Sequence, residues 1–268
     1  MGSTNGSRPV GSLLRAWRER RRLSQLALAE LAQVSPKHLS FVETGRSVPS
    51  PEMVLHLARH LEVPPRHRND LLLAAGYAPR HTALTWDDDG FAPIRRAVRA
   101  VLTGHEPAPA IVVDRRWNLV AANRAASILT EGVAPELLEP PVNVLRTCLH
   151  PDGLARRIAN LGEWAEHIIG NVDKQVQLAP DPSLEALRSE LVSYLDALGV
   201  TPRTLLDGTR LAVPLHLATA DGDVRLLATI ATFGTAVDAT LSELTIEAFL
   251  PADPETARAL ERRQVVAP

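Results

Sequence analysis

The stretch Leu23 to Arg46, LSQLALAELAQVSPKHLSFVETGR, constrains this chain more than any other. It holds two helix-length segments with almost no room for a loop between them. Ser24 suits the cap of a helix over 25–32, and Ser35 caps a second helix whose first position is Pro36, where a missing N–H costs nothing. Gly45 is placed to end that second helix. Leu28, Ala29 and Ala32 form the inward face of the first helix, and Val34, Leu39 and Val42 the buried side of the turn and of the second. Ala29 falls where the two crossing helices approach each other, so a small residue is needed there. Two helices fixed in this way leave one surface outward, and it begins Ser35-Pro36-Lys37-His38.

Three more helices surround the pair. Val10 to Arg22 turns Leu13, Leu14 and Trp17 inward and the run RERRR outward. In SVPSPEMVLHLARHLEV, Ser50 is the cap, Pro51 follows it, and Met53, Val54, Leu57, Ala58 and Leu61 share a face. RHRNDLLLAAGY closes at Gly76. An all-α head of five helices is therefore expected over residues 10–77, behind a disordered leader at residues 1–9.

Counted from Gln25, the unit has glutamine first, alanine fifth and aliphatic residues tenth, fifteenth and eighteenth, which is the spacing of a helix-turn-helix. With VETGR after it and five helices around it, the head resembles the phage-repressor or XRE family of DNA-binding domains. One departure is Gln33, where that family has glycine in a positive-φ turn; glutamine there costs on the order of 1 kcal/mol. The resemblance implies that the second helix enters the major groove of double-stranded DNA with its N-terminal residues against base edges. Pro36, Lys37, Ser40 and Phe41 then face outward, with His38 at the margin. Lys37 is suited to guanine O6 and N7, and Pro36 and Phe41 to thymine methyl groups. Gln25 and Ser35, at helix N-termini, and Arg46, just beyond the second helix, are suited to phosphate oxygens.

Charge agrees with a head that meets a polyanion. Residues 1–81 carry 12 Arg and Lys against 6 Asp and Glu, whereas residues 82–268 carry 17 against 25. Only the first part is basic. No apolar run reaches the ~18 residues that suggest a membrane span, and MGSTNGSRPV has no apolar signal core. One cysteine, Cys148, leaves no intramolecular disulfide and fits a reducing compartment. A cytoplasmic, nucleoid-associated protein with no membrane partner is expected.

APRHTALTWDDDGFAP loses all periodicity, and a linker is expected over 78–90. Beyond it FAPIRRAVRAVLTGH reads as helix. PAIVVDRRWNLVAANRAASILT reads as strand, turn, strand and short helix. DGLARRIANLGEWAEHIIGNVDKQVQLA and SLEALRSELVSYLDAL read as two amphipathic helices. TRLAVPLHLAT, DVRLLATIATFG and LTIEAFLPA alternate and are rich in β-branched residues, with ADGD as a hairpin turn. An α+β domain over 91–254, an antiparallel sheet with helices inserted in its middle, is the expected body, followed by a tail at 255–268.

The sequence from ETGRSVPSPEMVLHLARHLEVPPRHRNDLLLAAGYAP, through PAIVVDRRWNLVAANRAA and PPVNVLR, to ATFGTAVDATLSELTIEAFLPAD resembles MmyB-type transcription regulators. The resemblance implies a PAS-like ligand-binding and dimerisation domain, hence a homodimer on a palindromic operator. It also implies a small apolar ligand, with a fatty acid or acyl-like molecule as the expected class. Asn123, Asn143, Arg146, His150, Trp164 and His167 cluster between the second strand and the long helix and are the polar and aromatic candidates for orienting it. Each also has an ordinary structural reading: Asn123 as a helix cap, Arg146 as a surface cation, Trp164 as core.

His56 and His60 have metal-pair spacing but lack the glutamate of HExxH, and two ligands do not close a site. Cys148-x-His150 reads as a buried thiol beside a histidine. No GxSxG, P-loop or dinucleotide fingerprint occurs. Neither metal, cofactor nor catalytic residue is therefore assigned, and the chain is expected not to be an enzyme. The competing readings are a ligand-free DNA-binding dimer and a small-molecule enzyme carrying a DNA-binding head.

Overall fold

A computed structural model of the chain describes residues 9–80, 86–179, 181–201, 213–233 and 240–266. Among the described residues the chain forms two compact units, one of residues 9–80 with 240–242 and the other of residues 86–233 with 243–266. The expected leader, but for Pro9, lies outside the described residues, as do 81–85 within the expected linker.

The first unit is all-α: α1 (Val10–Arg20), α2 (Gln25–Leu31), α3 (Pro36–Glu43), α4 (Pro51–His60) and α5 (Pro65–Ala74). The serines expected as caps are caps. Ser24, Ser35 and Ser50 accept from the N–H groups of Ala27, His38 and Met53 at 3.0, 3.1 and 3.2 Å. Each satisfies one donor that a helix start leaves unpaired. Leu14, Leu28, Leu39, Val42, Leu57 and Leu72 are fully buried and form the centre. Gln33 has φ of 53° and Gly45 of 74°, so both turns take the left-handed conformation. At Gly11 a Cβ atom would lie 2.2 Å from the Val42 carbonyl oxygen, so glycine lets α1 press against the end of α3.

The second unit is α+β. Its sheet is antiparallel, in the order β2-β1-β5-β4-β3, built from β1 (Ala110–Val113), β2 (Leu119–Ala122), β3 (Leu215–Thr219), β4 (Gly222–Thr232) and β5 (Thr245–Pro251). β5 is central, pairing with β1 on one side and β4 on the other, and Ile246 through Phe249 are buried. α6 (Ala92–Gly104) precedes the sheet, while α7 (Val144–Leu149), α8 (Leu161–Leu178) and α9 (Pro182–Ala197) lie between β2 and β3 in the chain. Ile111, Val113, Leu217, Leu226 and Phe249 of the sheet join Leu149, Trp164, Ile168 and Leu191 of these helices in one core.

Three local expectations are corrected. The helix expected to start in DGLARR starts only at Leu161. Before it, Gly153 packs where a Cβ would meet the Thr147 carbonyl oxygen at 2.2 Å, and Ile158 forms a bridge with Leu217. Asn160 then fixes the helix start by donating to Pro214 O and accepting from His216 N–H. The short helix α7 begins inside PPVNVLR, unforeseen because only Asn143, whose side chain accepts from Arg146 N–H, marks its start. The segment expected as a tail is α10 (Pro254–Val266), which packs on β4 and β5 with Ala259 and Leu260 buried. Thr256 anchors it by accepting from Arg225 N–H at 3.0 Å.

Candidate nucleic-acid interface and ligand cavity

In the first unit the outward side of α3 presents Ser35, Pro36 and Lys37 exposed, with Arg46 exposed just beyond it. His38, Ser40 and Phe41 are half-buried. The Lys37 ammonium lies 5.8 Å and the Arg46 guanidinium 5.9 Å from the Phe41 ring centre, so one aromatic ring carries two cations. Ser35 uses an oxygen lone pair for its cap and keeps its hydroxyl proton. Gln25 is turned inward: its Nε2 donates to Glu43 Oε2 at 2.8 Å. Its Nε2 keeps a second N–H, a donor still able to meet a phosphate oxygen.

Glu43 is the residue that sequence reading missed here. It is buried and takes both Arg18 hydrogen bonds as well as that of Gln25, so α1, α2 and α3 meet on one carboxylate. Arg18 donates further to Leu23 O at 2.8 Å. The ion pair with Glu43 holds the Arg18 guanidinium above its ordinary pKa. His56 and His60 give their ring N–H groups to the carbonyls of Ala32 and His56, at 2.7 and 2.9 Å. Among the described residues no three His, Cys, Asp or Glu side chains are grouped to hold a metal.

In the second unit a cavity of about 290 Å³ opens between the sheet and the inserted helices. Ile111, Leu119 and Phe249 line it from the strands, and Leu145, Trp164 and Ile168 from α7 and α8. Trp117, Leu129 and Val142 extend the apolar wall, and Arg124 stands exposed at the rim.

Of the six candidate residues, Asn123 and Trp164 line this cavity and the other four do not. Asn123 is saturated: its Oδ1 accepts from Ala110 and Ala126 N–H, and its Nδ2 donates to Leu102 O and Ala108 O. Asn143 caps α7 and donates to Arg116 O at 2.8 Å. Arg146 forms two 2.8 Å bonds to Glu190 on α9, which raise its pKa. His150 lies edge-on to Tyr194 and accepts from Asp152 N–H. His167 stacks on Trp164, 5.3 Å between centres, and burial first, then Lys174, holds it below its ordinary pKa.

Two lining groups were not foreseen as ligand contacts. The Cys148 sulfur accepts the Trp164 indole N–H at 3.4 Å, and burial pushes its thiol up to about 12. Glu247, on β5, is 9% exposed, and burial alone raises its carboxyl to about 7. The signal was present in TIEAFLP: Glu247 shares a strand face with Phe249, so burial of Phe249 buries Glu247 too.

Residues 94–262 match the MmyB-like transcription regulator ligand binding domain, and residues 9–71 match a helix-turn-helix domain. No curated protein matches the chain. Among solved structures, one described as an RNA-binding light-oxygen-voltage receptor matches 96% of this chain at 15% identity with a TM-score of 0.26, too loose a superposition to bear on fold or function. The chain spans 62% of that receptor's length. With most of its length matched to the ligand-binding domain and the helix-turn-helix ahead of it, the chain belongs to the MmyB-like transcription regulators, DNA-binding proteins with a ligand-sensing domain.

Proposed function

We propose that the protein binds a specific operator through α3 and that a small apolar molecule in the cavity of its second unit controls that binding. The exposed row Ser35, Pro36, Lys37 and Arg46 beside Phe41 carries the DNA reading. Lys37 is the base reader, Pro36 and Phe41 are the apolar contacts, and Ser40 and His38 flank them. Ser35 and Arg46 hold phosphates. Two copies on a palindrome, with half-sites about 34 Å apart, give each α3 its own groove face. Such a regulator works in the cytoplasm, at the nucleoid.

The largely apolar wall of the 290 Å³ cavity supports the ligand reading. Each buried CH₂ of an acyl chain gains about 0.8 kcal/mol there. The acyl chain of a fatty acid or acyl-like molecule would lie along this wall, and Arg146, engaged by Glu190, does not pair its head group.

Selection of bound duplexes from a random pool by the full chain tests the first part. One enriched palindrome is expected, and retention without sequence preference would remove it. Solvent extraction and denaturing mass spectrometry of the purified protein test the second, by recovering a co-purified apolar compound that alters operator affinity when added back. Turnover of such a compound would instead put an enzyme behind the helix-turn-helix. Operator binding that no apolar compound changes would leave a ligand-free dimer.

A further inference from the structure

Glu247 lines the cavity from the middle of the central strand, opposite Ile111 of β1 and Ile230 of β4. Its carboxyl has no hydrogen-bond or ion-pair partner among the described residues, although only 9% of the residue is exposed. The groups around the same void supply no counter-charge at depth. Cys148 of α7 is a neutral thiol, α8 brings Trp164, Ile168 and Asn171, and among the described lining residues the cation is Arg124, at the exposed rim. A carboxyl so deep in apolar surroundings is costly unless something pairs it. Here the space in front of it is open, so the partner has room to be a ligand.

Resting on the ligand-binding reading above, we propose that Glu247 sets the specificity of the cavity by selecting apolar molecules that carry a hydrogen-bond donor, a hydroxyl or a protonated amine, at their buried end. The carboxyl accepts from such a donor in either protonation state. A carboxylate head group at the same depth meets an ionised Glu247 as a like charge once the pH exceeds about 7, the value to which burial alone lifts this carboxyl. An anionic ligand is therefore refused there most strongly at alkaline pH.

The test uses the full chain and N-phenyl-1-naphthylamine as a fluorescent occupant, displaced by octan-1-ol, octylammonium or octanoate. Near pH 8 the alcohol and the amine are expected to displace it at concentrations at least about tenfold below octanoate. Near pH 6 octanoate recovers most of that difference. In Glu247→Gln the three compounds converge to within about threefold at both pH values, so head-group hydration is controlled by the variant itself. The alcohol and amine arms tell which donor is preferred. Octanoate that competes equally near pH 8, in wild type and variant alike, means tail-first binding and overturns this role for Glu247 while leaving the cavity reading intact. Failure of the fluorophore and all three compounds to bind overturns the cavity reading and this inference together. Should the variant not fold, the pH comparison on the wild type decides.

Discussion

Arg18 and Glu43 meet through two parallel hydrogen bonds, Nε to Oε1 at 2.7 Å and Nη2 to Oε2 at 2.9 Å, with both side chains almost entirely out of water. They lie 25 residues apart and tie α1 to the last residue of α3. The pair therefore holds α3, the helix proposed to enter DNA, in place from its inner side. Glu43→Ala strands a buried guanidinium, and the helix-turn-helix unit should lose about 3–5 kcal/mol. Urea unfolding followed by far-UV circular dichroism measures this, and a loss below ~1 kcal/mol would mean that the pair is dispensable.

Gln33 offers the opposite sign. Its φ of 53° is a conformation glycine adopts without strain, and the side chain is exposed. Gln33→Gly should stabilise the unit by roughly 0.5 kcal/mol, the strain relieved being larger than the entropy glycine adds to the unfolded chain. Thermal unfolding of the two proteins side by side shows whether the midpoint rises.

Lys37 and Arg46 flank one ring yet should differ in effect. Lys37→Ala is expected to relax base preference at one operator position, by about 1–3 kcal/mol. Arg46→Ala should weaken every sequence alike and reduce the log–log salt slope by about 1. Gel shifts over a panel of singly mutated operators separate the two, and equal losses across the panel for Lys37→Ala would remove its base-reading role.

The carboxyl of Glu247, raised from 4.5 to about 7, keeps a proton in the folded chain that the unfolded chain has already released between those values. The Glu247 contribution to the stability of the ligand-free second unit is therefore fully present below about pH 4.5, falls as pH rises toward 7, and levels beyond it. The total is about 3 kcal/mol. Glu247→Gln should flatten this contribution. Other groups titrate over the same interval, so the difference between wild type and variant across the pH series is the quantity to follow.

Cys148, with its thiol pushed to about 12, holds almost no thiolate at neutral pH. Iodoacetamide should alkylate it at least about a hundredfold more slowly than a free thiol, and a cavity occupant should slow it further. Mass spectrometry of the intact chain counts the single adduct over time. Labelling at the rate of free cysteine would place the thiol in water rather than beside Trp164.

The DNA-facing half of the protein was legible in the residues because its rules are local. A serine cap acts over three residues, helical periodicity over four, and the left-handed turn at Gln33 within one. Even there the inward turn of Gln25 was invisible, since it depends on Glu43, 18 positions away. In the second unit the strands and amphipathic helices could be read from alternation and periodicity, and α10 was missed because PETARALERR carries a weak apolar face.

What the sequence determined by itself is the order of elements, the capped helix-turn-helix and the polar residues available between the second strand and the long helix. Only the tertiary structure decided how those residues are spent, Asn123 on the backbone, Arg146 on Glu190 and His167 on Trp164 and Asn171, and that Glu247 of β5 lines the cavity with no partner among the described residues. The reason is physical. A polar group's role follows from which partners reach it, and strand register and helix packing bring those partners from positions up to 44 residues distant in the case of Arg146. No local pattern records such distances.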